Sequence, residues 1–148
     1  MSDGRMDVVA ALVRTSFLVS AVYAESSREH GVTAQQGQLL CVLMPRAYGM
    51  TELGGVLGLA KSSLSGLVDR TERNGFVRRT AGAADTRMVT VTLTPKGRRL
   101  ARKFYDETCR RIDELPAGLA PAERDALATL LGRIVEDNEV PVVFQERD

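Results

Sequence analysis

Apolar residues recur at helical spacing from the start of the chain. Val8, Leu12, Val19 and Tyr23 line one face and Val13, Phe17 and Leu18 widen it, which predicts a helix over 6–29 that Gly31 stops. A helix this long and apolar has more surface to bury than one thin partner covers, so it calls for a second subunit or a long helical neighbour. Thr33 opens the next helix at capping-box spacing from Gln36, ahead of the run Leu39-Leu40-Cys41-Val42-Leu43, and Pro45 ends it. After a Tyr48-Gly49 turn, Met50, Leu53, Val56 and Leu57 make a short helix closed by Gly58. A further helix over 61–74 turns Leu64, Leu67, Val68 and Thr71 inward. Two short helices joined by a glycine-containing turn have the form of a helix-turn-helix.

Gly75 stops that helix and the period changes to two. Residues 76–80 read as a short strand, and 88–94 alternate strictly, with Val89, Val91 and Leu93 on one face and threonines on the other. Residues 81–87 between them form a hairpin tip too small and polar to pack. Thr94-Pro95 supplies an N-cap and a first-turn proline for a helix over 95–114, which Leu115-Pro116 stops. Pro121 opens a last helix striped with Leu127, Leu130, Leu131, Ile134 and Val135. A hairpin directly after a helix-turn-helix is a winged helix. The expected fold is mostly α (α+β), with 33–94 as the winged helix-turn-helix lobe and 1–32 and 95–148 as long flanking helices of a single 148-residue domain.

Composition narrows the class. With 44% hydrophobic and 26% charged residues the chain is globular, and long enough to fold without metal or disulfide. No run approaches 18 apolar residues, the longest stretches being broken by Arg14, Glu25 or glycine, which rules out a membrane span, and the first residues lack signal-peptide order, so a cytoplasmic location is expected. Cys41 and Cys109 are too few for a disulfide scaffold, and with His30 they show no zinc-ligand spacing. No cofactor is expected. The net charge of +1 hides a strong division: residues 61–103 hold eleven basic and three acidic side chains, whereas 104–148 hold five and eleven. The basic block is either a polyanion footprint or a solvated face.

The stretch Leu67-Val68-Asp69-Arg70 followed by Gly75-Phe76-Val77, and Asp85-x-Arg87 followed by Leu93-Thr94-x-x-Gly97, resembles the MarR family of bacterial winged-helix regulators. Each piece alone is modest; together, in order and at these spacings, they are specific. The resemblance spans nearly the whole chain. It implies a sequence-specific regulator of transcription, typically a repressor, that binds a pseudo-palindromic double-stranded operator as a homodimer and is released by a small, often aromatic, effector.

A recognition helix needs polar side chains at its N-terminal end that reach base edges. Lys61, Ser62, Ser63, Ser65 and Arg70 provide them; the competing reading is that Ser62 and Ser63 merely cap the helix, and they can do both. Gly66 and Ala60 depart from the family, which more often has a longer side chain and a hydroxyl at these places. Arg73, Arg78 and Arg79 suit phosphates; Lys96, Arg98 and Arg99 suit phosphates or solvent. The resemblance gives Arg87 two competing roles, insertion into a minor groove and a wing-positioning pair with Asp69, with Asp85 beside it. Phe17, Tyr23 and His30 are the candidate effector-pocket residues, with core packing as the competing reading for the two aromatics. The expected dimer buries Val8, Leu12, Leu127 and Leu131. Two rivals stay open: a redox switch through Cys109, set beside Arg110 and Arg111, and a protein-interaction module without specific DNA binding. An enzyme would need a nucleophile, carboxylate pair or phosphate loop that the chain does not show.

Overall fold

The computed structural model describes residues 4–81 and 88–140. Its elements run α1 (Val8–Glu29), α2 (Ala34–Val42), β1 (Tyr48–Gly49), α3 (Met50–Leu57), α4 (Lys61–Arg73), β2 (Val77–Ala81), β3 (Val89–Leu93), α5 (Pro95–Glu114) and α6 (Pro121–Asp137). This is a mostly α winged helix-turn-helix. The sheet is antiparallel in the order β1-β3-β2.

Local chemistry sets most boundaries. Asp7 caps α1, its Oδ1 accepting from the Ala10 N–H at 2.7 Å, so the helix starts two residues later than its apolar pattern suggests. The Thr33–Gln36 capping box forms in both directions. Thr94 Oγ1 accepts from the Gly97 N–H at 3.0 Å, and Pro95 fills the first position of α5. Gly58 and Gly75 sit at φ 66° and 82°, a region that favours glycine at the ends of α3 and α4. Gly97 is required for a different reason: a Cβ there would collide with the Phe76 carbonyl, which already accepts from the Thr94 N–H.

One expected turn is a strand. Tyr48 pairs with Val91 and Gly49 with Thr90, giving the sheet its third member. The cause is burial: Tyr48 is 7% exposed, with the Arg46 guanidinium stacked 3.8 Å above its ring.

The core fills the lobe. Leu39, Leu40, Leu43, Leu53, Leu64, Leu67, Val68, Val77 and Val91 are buried together, with Ala101 of α5 closing one side. Phe104 ties α5 to α1 and α2, and Gly37 of α2 lies so close under its ring that no side chain fits there. Arg111 of α5, its side chain 15% exposed, ties α5 to α1, meeting Glu29 at 2.6 Å and Glu25 at 3.4 Å as well as Glu107 of its own helix at 2.9 Å.

The flanking helices are different. α6 buries no residue, and Leu127, Leu131 and Ile134 face solvent along with Val8, Leu12 and Phe17 of α1. The most apolar 18-residue window of α1 has a mean hydropathy of 1.5, so this helix is long and apolar enough to cross a membrane by length and composition. The exclusion of a membrane span from the length of unbroken apolar runs is corrected to that extent. Arg14 interrupts the apolar run without lowering the mean enough, because valines, leucines and alanines surround it.

Candidate nucleic-acid interface

The recognition helix α4 has two sharply different sides. Leu64, Leu67, Val68 and Thr71 are buried, while Lys61, Ser62, Ser63, Asp69, Arg70 and Arg73 are exposed, with Ser65 and Gly66 between them. Ala60 occupies the N-cap with extended backbone and makes no side-chain cap bond. Ser62 and Ser63 lie past that cap, at the second and third helical positions, and both are exposed. Gly66 is half-buried at the margin of the exposed side, where the nearest atom to an added Cβ is Arg70 Nη1 at 3.4 Å. Among the described residues Lys61, Arg70, Arg73 and Arg78 have no ion-pair partner, which leaves their charge available to a polyanion.

Arg79 departs from expectation. Strand residues two apart share a face, so Arg79 lies on the side of Val77, over α4, while Arg78 faces solvent. Its guanidinium meets Asp69 Oδ1 at 2.7 Å and Glu72 Oε1 at 3.0 Å, and its backbone N–H donates to Glu72 Oε2 at 3.0 Å. A cation committed to two carboxylates is not a free phosphate contact. Arg79 braces the wing strand against the recognition helix, and among the described residues it is the partner of Asp69. The wing-tip residues Asp85 and Arg87 lie outside the described residues.

Further anchors hold the far end of α4. Lys96 Nζ donates to the Asn74 carbonyl at 3.1 Å and sits 4.9 Å from the Phe76 ring centre, and Thr94 Oγ1 donates to the Gly75 carbonyl at 2.6 Å. Arg98 reaches the Met44 carbonyl at 3.2 Å. Lys96 and Arg98 are thus each tied to a backbone carbonyl although both are exposed, whereas Arg99 is exposed without a described partner.

The three candidate effector residues do not converge. Tyr23 and His30 both pack on Phe104, with ring centres 6.1 and 6.0 Å away, and His30 Nδ1 lies 2.8 Å from the Ser26 carbonyl. Burial pushes the Tyr23 phenol well above its usual range, with Cys41, Cys109 and Tyr105 adding to the effect. Phe17 stands apart on the outer face of α1, 69% exposed. Phe104, the centre of the cluster, escaped the sequence reading. Its signal was an aromatic at i+3 from Ala101 on a helix otherwise dominated by charge. Nearby, burial and the charge of Cys109 push the Cys41 thiol up to about 12, which makes it a poor thiolate.

An exposed recognition helix braced by a wing, on a lobe carried by two long helices, defines a winged helix-turn-helix transcriptional regulator. No family model matches the chain. It is 32% identical over 127 residues to YkoM of Bacillus subtilis, an uncharacterized HTH-type transcriptional regulator, covering 85% of this chain and 82% of that one. Among solved structures it is similar to apo MarR from Escherichia coli (TM-score 0.79, 21% identity, 90% of this chain and 99% of that chain). It is also similar to Bordetella bronchiseptica BpsR, whose DNA binding is regulated by 6-hydroxynicotinic acid (TM-score 0.73, 25% identity, 90% and 96% of the two chains). The chain belongs to the MarR family.

Proposed function

We propose that this regulator is a repressor that binds a pseudo-palindromic double-stranded operator as a two-fold homodimer and is released by a small aromatic effector. The observation that carries the DNA reading is the outer side of α4, which exposes Ser62 and Ser63 beyond an N-cap without a side-chain cap bond and, among the described residues, three cations without an ion-pair partner. Ser62, Ser63, Ser65 and Lys61 would meet base edges, and Arg70, Arg73 and Arg78 phosphates. Asp69, Glu72 and Arg79 hold helix and wing strand in register. Arg87 at the wing tip would enter the minor groove.

Dimerisation is supported by the apolar faces of α1 and α6, which a single copy leaves in water. A second copy covering them would set two recognition helices on successive major grooves, ~34–36 Å apart. That cover, rather than a lipid bilayer, accounts for the apolarity of α1, because both helices expose it together. This reading divides the chain into a lobe over 33–94 and flanking dimerisation helices, and a DNA target fits a cytoplasmic location.

The effector reading rests on Tyr23 and His30 around Phe104, where the flanking helices α1 and α5 meet the lobe, and on the ligand-regulated relative BpsR. An effector acts only through unequal affinity for the DNA-competent and released states.

The test is selection of duplexes from a random pool by the purified full-length protein, followed by binding of the winner and its scrambled version across a salt series. The expected result is an inverted repeat, one dimer per duplex and steep salt dependence confined to no single half-site. Equal weak binding to both duplexes, or none at low salt, would overturn the proposal in favour of a protein-interaction surface.

A further inference from the structure

Gln36 does more than close the capping box of α2. Its side chain is 6% exposed and every polar group on it is engaged. Oε1 accepts from the Thr33 N–H at 3.0 Å; Nε2 donates to Thr71 Oγ1 at 3.3 Å and to Asn74 Oδ1 at 3.1 Å. The orientation of the amide is dictated by its partners. A backbone N–H can only donate, so the oxygen must face Thr33 and the nitrogen must face α4. Thr71 in turn sends its own proton to the Leu67 carbonyl at 2.7 Å, which leaves its lone pairs for Gln36.

These bonds join the first turn of α2 to the last turn of the recognition helix. The next residue, Gly37, lies directly beneath Phe104, whose ring also packs against Tyr23 and His30. One helical turn therefore touches the flanking helices on one side and the far end of the recognition helix on the other. The N-terminal end of α4 projects from the fold, so its direction is set by whatever holds the buried end. Lys96 and Thr94 hold the backbone that follows, at Asn74 and Gly75. Gln36 holds side chains of the helix's last turn and its C-cap, and through α2 it refers their position to Phe104.

We infer that Gln36 is a positioning residue for DNA recognition: its amide pins the last turn of α4 to α2 and so sets the angle at which Ser62 and Ser63 meet the operator. This rests on the DNA-binding reading above. Losing the pin leaves the surface charge of the lobe unchanged, so it lowers discrimination between sequences rather than general affinity for DNA.

The experiment measures, for the full-length protein, binding to the duplex selected above and to its scrambled version. The variants are Gln36→Met, Thr71→Val, Thr71→Ser, Asn74→Ala and the double Gln36→Met/Asn74→Ala. Gln36→Met should weaken binding to the selected duplex about tenfold and leave the scrambled duplex unchanged. Thr71→Val should behave similarly, Thr71→Ser should restore the wild-type ratio, and the double variant should be no worse than Gln36→Met. If Gln36→Met fails to fold, Asn74→Ala carries the test, because that side chain is exposed and its removal opens no cavity. Folded variants that keep the wild-type ratio, or that lose both duplexes equally, overturn the inference while leaving the DNA reading intact. A wild-type protein that selects no duplex overturns both.

Discussion

The Arg79 brace makes a prediction that separates two roles for one cation. Replacing Arg79 by methionine keeps the length and the strand backbone but removes both ion pairs, to Asp69 at 2.7 Å and to Glu72 at 3.0 Å. The three side chains are 26%, 56% and 40% exposed, so each pair is partly screened and worth about 0.2–1 kcal/mol, or about 0.5–2 kcal/mol together. With a urea m-value of about 1–3 kcal/mol per molar, the unfolding midpoint should fall by roughly 0.5 M at fixed protein concentration. Asp69→Asn alone should cost about half as much, and nothing further in the Arg79→Met background, because its partner is already gone. On DNA, a brace and a phosphate contact part company. A lost phosphate contact in each subunit would flatten the slope of log K against log salt by about 1.8 per dimer. A lost brace lowers operator affinity and leaves that slope in place. Additive stability losses for Arg79→Met and Asp69→Asn, together with a slope reduced by about two, would refute the brace and return Arg79 to the phosphates.

Three other outcomes are expected. Gly97→Ala forces a methyl group into the Phe76 carbonyl, disturbing both the Thr94 cap and the strand exit bond. It should cost at least about 2 kcal/mol and lower the melting temperature by roughly 4–8 °C; an unchanged melting curve would contradict that packing. Leu131→Asp places a carboxylate on the apolar face of α6 and should give a monomer in sedimentation velocity, whereas a stable dimer would move the interface elsewhere. Cys41, with its thiol pushed up to about 12, should resist iodoacetamide at pH 8 in the native protein and react once unfolded in urea. The sign is fixed by the thiolate fraction, which rises only as pH approaches the raised value; native labelling at pH 8 would show that the site opens.

The parts of this molecule legible from its sequence are those whose cause is local. Thr33 with Gln36, Thr94 with Pro95, and the left-handed Gly58 and Gly75 each act within one turn, and each boundary lies where the residue pattern puts it. β1 was not legible, because a two-residue strand exists only through its pairing with Val91 and Thr90, some forty residues away. Arg79 was half legible: strand parity places it with Val77, but what lies beneath that face depends on how α4 packs. Phe17 could have been separated from Tyr23 and His30 by angle alone. At 100° per residue, Tyr23 and His30 lie within about 20° of each other, while Phe17 is about 120° away from Tyr23.

Gln36 was the subtler case, since a capping box accepts glutamate or glutamine at its third position and the box alone explains the residue. The box uses only the side-chain oxygen. A glutamine buried there still carries two N–H donors that must be satisfied, and a glutamate would have served the box without them. The choice of amide over acid is therefore a statement about a second partner, and Thr71 and Asn74 of the recognition helix are that partner. Counting the donors that a local motif leaves unused is how such a long-range contact can be anticipated from sequence. Here it leads from a helix cap to the element that would read DNA.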